Sequence, residues 1–194
     1  MKRAFTLIEV LIVVVVIALI AAFLWPIFAR PDRGGRRSSC QSNLKQIGLG
    51  FLQYVQDYDE RLPPARVTSA TGWSDVITTY TKSTQLFQCP SGPSTTTSFS
   101  SDYFYNRRLA RVTMDKINVA GLTVMAGEGE DNAPTWNSWA GMPADADTNT
   151  DSPVQRHKGF ANYLFTDGHV KALIPTRVSS TFAAPTSRPT FAFR

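Results

Sequence analysis

Residues 1–30 read MKRAFTLIEVLIVVVVIALIAAFLWPIFAR, and the fold turns on what this stretch does. Val10 to Phe28 contains no charged side chain. At 1.5 Å rise per residue such a run is just long enough to cross the hydrocarbon core of a bilayer. The β-branched run Val13 to Val16 is a poor helix former in water, but in lipid every backbone amide must bond within its own segment, which forces a helix. Residues 5–29 are therefore expected to form one membrane-spanning helix. Glu9 stands at its edge, where an unpaired carboxylate costs up to about 2.5–3.5 kcal/mol, less towards the interface. It calls for a cation, and Lys2 and Arg3 are the only basic side chains near it. A cut between Ala4 and Phe5 would add a free amine on Phe5, four residues before Glu9.

The segment KRAFTLIEV, Lys2 to Val10, resembles the class III signal of type IV pilins and pseudopilins: a short basic leader, FTLIE, then a long apolar helix. The resemblance implies that a prepilin peptidase cuts between Ala4 and Phe5 and methylates the new amine, leaving residues 1–4 as a leader. It also implies that the helix anchors a precursor in the bacterial inner membrane, N-terminus cytoplasmic and domain outside, and later forms the core of an extracellular or periplasmic filament. Glu9 then pairs with a Phe5 amine during assembly. The family nearly always has Gly before the cut, where this chain has Ala4. An ordinary secretory signal is shorter and ends in a small-x-small site, whereas this one is followed by Trp25, Pro26 and arginines. A plain signal anchor has no use for Glu9.

The rest, 164 residues after Arg30, is enough for one globular domain. The net charge of +5 falls to +3 without Lys2 and Arg3, too small an excess to indicate nucleic-acid binding. Cys40 and Cys89 on an exported domain are most simply one disulfide closing a loop of about 50 residues; two buried free thiols are the alternative.

Pro26 removes a helical hydrogen bond, so either a compliant joint or simply the end of the membrane helix is expected there. In the family it resembles, many pilins carry a proline at this place, which makes Pro26 an assembly residue beside Phe5 and Glu9. Residues 30–37, RPDRGGRR, read as a basic linker weakened by Pro31 and two glycines. Its arginines on the outer side run against the positive-inside rule. They are expected against anionic headgroups, beside acidic residues of neighbouring subunits, or in solvent. A second helix, amphipathic and capped by Ser38 or Ser39, is expected over 38–58, with Leu44, Ile47, Phe51, Tyr54, Val55 and Tyr58 inward. A short helix follows from about Ser74 to Thr81, with Trp73 and Tyr80 inward. Ser91 to Asp102 reads as an exposed loop suited to O-linked sugar, and Tyr103–Tyr105 and Leu122–Ala126 as strands.

Glu128 to Asp151 lacks periodicity and reads as a long acidic loop. Asp145, Asp147, Asn149 and Asp151 alternate as calcium ligands do, but Thr150 and Arg156 stand where an EF-hand needs Gly and Glu. An EF-hand is excluded; a looser calcium site stays open, and no other cofactor is indicated. Two β-prone runs meeting at Asp167-Gly168 predict a hairpin over 161–173 with a type I′ turn. His157, nine residues, then Asp167 and Gly168 resemble the H-X9-DG signature that accompanies prepilin-type N-termini in a large bacterial family. The segment from Cys40 to Leu49 is similar to that family too. His157, His169 and Asp167 are a poor fit to a catalytic or zinc set: no nucleophile motif accompanies them, and their spacing matches no known ligand pattern. Structural roles are expected instead, Asp167 in the turn and His157 near the start of the strand. Beyond Pro175 the tail reads as extended or disordered, or as an added sheet edge through Phe191 and Phe193.

These readings give an α+β, pilin-like chain: a long N-terminal hydrophobic helix whose C-terminal part packs on a small antiparallel sheet, within a globular region 38–194. The implied function is non-enzymatic, a structural subunit that polymerises with itself through its N-terminal helix, served by a prepilin peptidase and pilus assembly machinery. A pseudopilin of a type II secretion system, or an unpolymerised membrane-anchored binding module, are the alternatives.

Overall fold

The computed structural model of the chain describes residues 6–28, 33–93, 99–146, 148, 156–180 and 188–193. It divides into two compact units, Met1–Arg33 and Gly34–Arg194. In the first, helix α1 runs Leu7–Phe28. Its apolar side chains from Leu7 to Trp25 are all exposed, and none of that span is buried. An apolar helix exposed all round belongs in lipid or among other apolar helices. The helix continues through Pro26 to Phe28, so the proline does not end it. Arg30 and the leader lie outside the described residues.

The second unit is built on α2, Arg33–Asp57. The helix starts five residues before the expected cap, so Ser38 and Ser39 lie inside it and part of the basic linker is helical; two glycines weaken a helix by only about 1 kcal/mol each. Leu44, Ile47, Phe51, Tyr54 and Val55 are buried at three- and four-residue spacing, while Tyr58, expected inward, is exposed beyond the last turn. Helix α3, Trp73–Thr81, starts at Gly72, whose N–H donates to Asp75 Oδ2 at 2.7 Å. Trp73 is buried, its Nε1 donating to the Asn137 carbonyl at 2.8 Å, and Tyr80 is half-buried. Phe51, Trp73 and Tyr105 form one aromatic cluster with ring centres 5.3 to 5.8 Å apart.

Five strands form one sheet in the order β3-β1-β2-β4-β5. They are β1 Ser101–Asn106, β2 Val124–Ala133, β3 Ser138–Trp139, β4 Ala161–Phe165 and β5 Val170–Leu173. β1, β2, β4 and β5 are antiparallel to their neighbours, and only the two-residue β3 runs parallel, to β1. Two expected loops are corrected here. Ser101 and Asp102 belong to a buried strand, and β2 runs six residues into the stretch read as an acidic loop. The sequence of that extension, EGEDNA, looks loop-like, but Glu128 is held inside by polar partners.

One face of the sheet, with Tyr103, Tyr105, Ala126 and Leu164, packs on α2 and α3. The other, with Phe104, Tyr163 and Phe165, is covered by Phe191, Val178 and Trp139. Phe104 stacks between Trp139 at 4.1 Å and Phe191 at 5.5 Å. The described part of the tail is thus core: Thr190 bridges both Thr123 and Ser179, and Asn106 Nδ2 holds the Phe191 carbonyl at 2.9 Å.

Candidate functional site

At the start of α1, Glu9 meets a partner in its own chain. Its carboxylate Oε2 accepts from the Thr6 backbone N–H at 2.9 Å and the Thr6 hydroxyl at 3.0 Å, and the Glu9 N–H is 3.4 Å from Thr6 Oγ1. This is a capping box, with Thr6 as N-cap and Glu9 three positions on. Its sequence signal is Thr-x-x-Glu before an apolar run. Neutral donors orient the carboxylate without cancelling its charge, so the demand for a cation stands. Ala4 and Phe5 lie outside the described residues.

A second constellation lies where α2 meets the sheet. Cys40 on α2 and Cys89 form a disulfide, with Cα atoms 5.5 Å apart. Beneath it the His157 and Glu128 side chains, both fully buried, join through Nε2 and Oε1 at 2.9 Å. Cys89 Sγ lies 3.4 Å from the same His157 nitrogen and 4.0 Å from Glu128 Oε1. Asn162 grips the carboxylate, its backbone N–H donating to Oε2 at 2.8 Å and its Nδ2 to Oε1 at 2.9 Å. Arg156 pairs with Asp131 and donates to the Gly129 carbonyl at 2.8 Å. Asp102 accepts from Cys89 N at 2.7 Å and Asn132 N at 2.8 Å. Burial pushes the Asp102 carboxyl above its ordinary value despite those two N–H groups, and burial pulls Arg156 down against the nearby Glu128 and Asp102. Three carboxylates here face one guanidinium and one imidazole, so the pocket as a whole attracts positive charge.

The hairpin forms where expected, but not with the expected turn. Of the two central residues only Gly168 has positive φ, at +84°, and a type I′ turn needs both. Gly168 N–H donates to the Phe165 carbonyl at 2.9 Å, and Phe165 N–H to the His169 carbonyl at 2.9 Å. The loop is therefore a three-residue turn closed by a left-handed glycine. Asp167 Oδ1 accepts from His169 N at 3.1 Å and meets its Nδ1 at 2.6 Å. Lys45 donates to the Gly168 carbonyl at 2.6 Å and ties the turn to α2. His157 and His169 lie at opposite ends of β4, roughly 15 Å of extended strand apart, so they share no site.

The structure thus brings Cys40, Cys89 and His157 together and adds Glu128, which sequence reasoning missed because its partner lies 29 positions away. Of the calcium set, Asp147, Asn149 and Asp151 lie outside the described residues. Asp145 is exposed, with its carbonyl accepting from Thr148 N at 2.9 Å.

Two family models match the chain. One, described as the prokaryotic N-terminal methylation motif, matches residues 1–25, and the other, a protein of unknown function (DUF1559), matches residues 33–78. No curated protein and no solved structure matches. Both models end before residue 157, so the H-X9-DG resemblance rests on His157, Asp167 and Gly168 themselves. A prepilin-type N-terminal motif, an exposed apolar helix and an α+β domain together support a type IV pilin-like protein, anchored in the inner membrane as a precursor.

Proposed function

We propose that the chain is a structural subunit of a type IV pilus-like filament, cut between Ala4 and Phe5 and polymerised through α1. The observation that carries this is the prepilin-type motif joined to an apolar helix with one carboxylate that is oriented by Thr6 and meets no cation among the described residues. In a filament each Glu9 meets a Phe5 amine. Apolar burial changes little between lipid and filament, because lipid tails are as apolar as the helix. Charge pairing, rather than the hydrophobic effect, then fixes the axial register of one subunit on the next. Thr6 contributes by holding the Glu9 rotamer before the amine arrives.

The test is Glu9→Ala in the full chain. Membrane insertion is expected to be unchanged, while filaments recovered by shearing are lost or irregular under the electron microscope. Regular filaments of normal yield from that variant would refute the role.

A further inference from the structure

The disulfide does not stand alone: Cys40 Sγ, Cys89 Sγ, a Glu128 carboxylate oxygen and a His157 ring nitrogen all lie within 4.8 Å of one another, and all four residues are buried. We propose that in the dithiol state of the chain these four side chains bind one zinc ion, so that disulfide and metal are alternative closures of the same joint between α2 and the sheet. This goes beyond the filament reading and does not depend on it.

The geometry favours four-coordination. Bonds of about 2.3 Å to sulfur and 2.0–2.2 Å to nitrogen and oxygen give tetrahedral edges of about 3.4 Å from N to O, 3.6 Å from S to N or O and 3.8 Å from S to S. The observed N–O, S–N and S–O edges are 2.9, 3.4 and 4.0 Å, each within about half an ångström of these. The bonded sulfur pair has to part, and separate side-chain rotations of Cys40 and Cys89 allow that, with Cys40 Sγ already within 4.8 Å of the nitrogen and the oxygen. The donors come from four places in the fold: α2, the segment before β1, β2, and the turn before β4. An ion there joins the two segments that the disulfide joins and adds β2 and the turn before β4.

Chemistry selects the metal class. Two thiolates and an imidazole are too soft for calcium or magnesium, and a carboxylate in the set favours zinc over copper(I). Asn162 already fixes the carboxylate by two hydrogen bonds, the supporting shell that a ligand needs. The surrounding excess of carboxylates over cations favours a divalent ion. A groove of about 610 Å³ is lined in part by Asn43, Gln88, Cys89 and Pro90.

Both cysteines leave the ribosome as thiols. Binding replaces their two protons by Zn²⁺, and those protons go to solvent. Closure of the disulfide then requires a disulfide-bearing oxidoreductase. The zinc-bound thiolate pair passes two electrons to the oxidant disulfide, which takes up two protons to become a dithiol. The Cys40–Cys89 bond forms and Zn²⁺ is released.

The full chain in detergent, reduced with a water-soluble phosphine, is titrated with zinc against a chromophoric chelator. One ion per chain is expected for the reduced protein and none for the oxidised protein. Cobalt(II) in place of zinc should show the ligand-field bands of a four-coordinate centre with thiolate charge transfer. Glu128→Gln and His157→Gln, purified oxidised so that their fold is checked by circular dichroism before reduction, should each weaken zinc by more than the roughly 10–100-fold that loss of a supporting hydrogen bond costs. X-ray absorption at the zinc edge of the unmutated chain needs no variant. It should show two sulfurs at about 2.3 Å and two lighter atoms at about 2.0–2.1 Å, one from an imidazole. Any of three results overturns the proposal: no binding by the reduced chain, whether folded or not; undiminished affinity in both variants; or a zinc shell without imidazole.

Discussion

At the residue scale, two carboxylates define what the chain can do, and they are handled in opposite ways. Glu9 is exposed, oriented by Thr6, and keeps a charge that only a partner outside the described residues can cancel. Glu128 is sealed and accepts from Asn162 and His157. Removing a buried acceptor leaves its donors unsatisfied, at a cost of about 1–3 kcal/mol and more where a charged group is involved. Glu128→Ala is therefore expected to lower stability by that amount, read as a fall in the urea midpoint of the oxidised chain. A loss under about 1 kcal/mol would mean that water replaces the carboxylate. Asp167 gives a pH test. Burial pushes its carboxyl up, but the His169 backbone N–H and ring outweigh this and hold it below its ordinary value of 3.8. Its contribution is thus present above that value and lost as pH falls through the lowered folded-state value. Since the side chain is 41% exposed, the effect is under about 1 kcal/mol. The stability gap between wild type and Asp167→Asn should shrink on acidification below pH about 4; a gap independent of pH would make the contact non-electrostatic.

At the scale of elements, what the sequence disclosed followed periodicity. The buried stripe of α2 and the length of α3 were legible because apolar spacing reports a helix directly. The far half of β2 was not, since a strand that buries Glu128 between Gly127 and Gly129 shows no apolar alternation. The two-residue β3 depends on tertiary pairing that no local pattern encodes, whereas the alternation of Phe191 and Phe193 already offered the tail as an added edge. Glycines in α2 set how closely it approaches its neighbours. A Cβ on Gly50 would lie 2.8 Å from Ile77 Cγ2 and 2.9 Å from Thr81 Cγ2, both on stiff β-branched side chains. On Gly48 it would lie 2.9 Å from Leu164 Cδ1, the end of a longer side chain. Helix propensity gains about 1 kcal/mol from either Gly→Ala change, while overpacking costs about 1–3. Gly50→Ala should therefore destabilise by up to about 2 kcal/mol and Gly48→Ala by less, as compared by urea unfolding. The reverse order would show that α3 yields more easily than β4. Phe191→Ala should cost about 3–5 kcal/mol, far more than an unpacked tail residue would.

For the whole molecule, the two units divide the work: α1 is the part that meets lipid or other copies, and the domain is a self-contained α+β body. The Cys40–Cys89 bond spans 49 positions of that body. A loop of this length contributes about 4 kcal/mol on the chain-entropy model. The Cys40→Ser, Cys89→Ser double variant should lose most of that in urea, and a loss near zero would place the stability of the joint elsewhere. The most direct test of the filament reading is the N-terminal mass of the chain in fibres sheared from the cell surface. Subunits beginning at a methylated Phe5 are the predicted result; fibres whose subunits retain Met1 to Ala4 would contradict it.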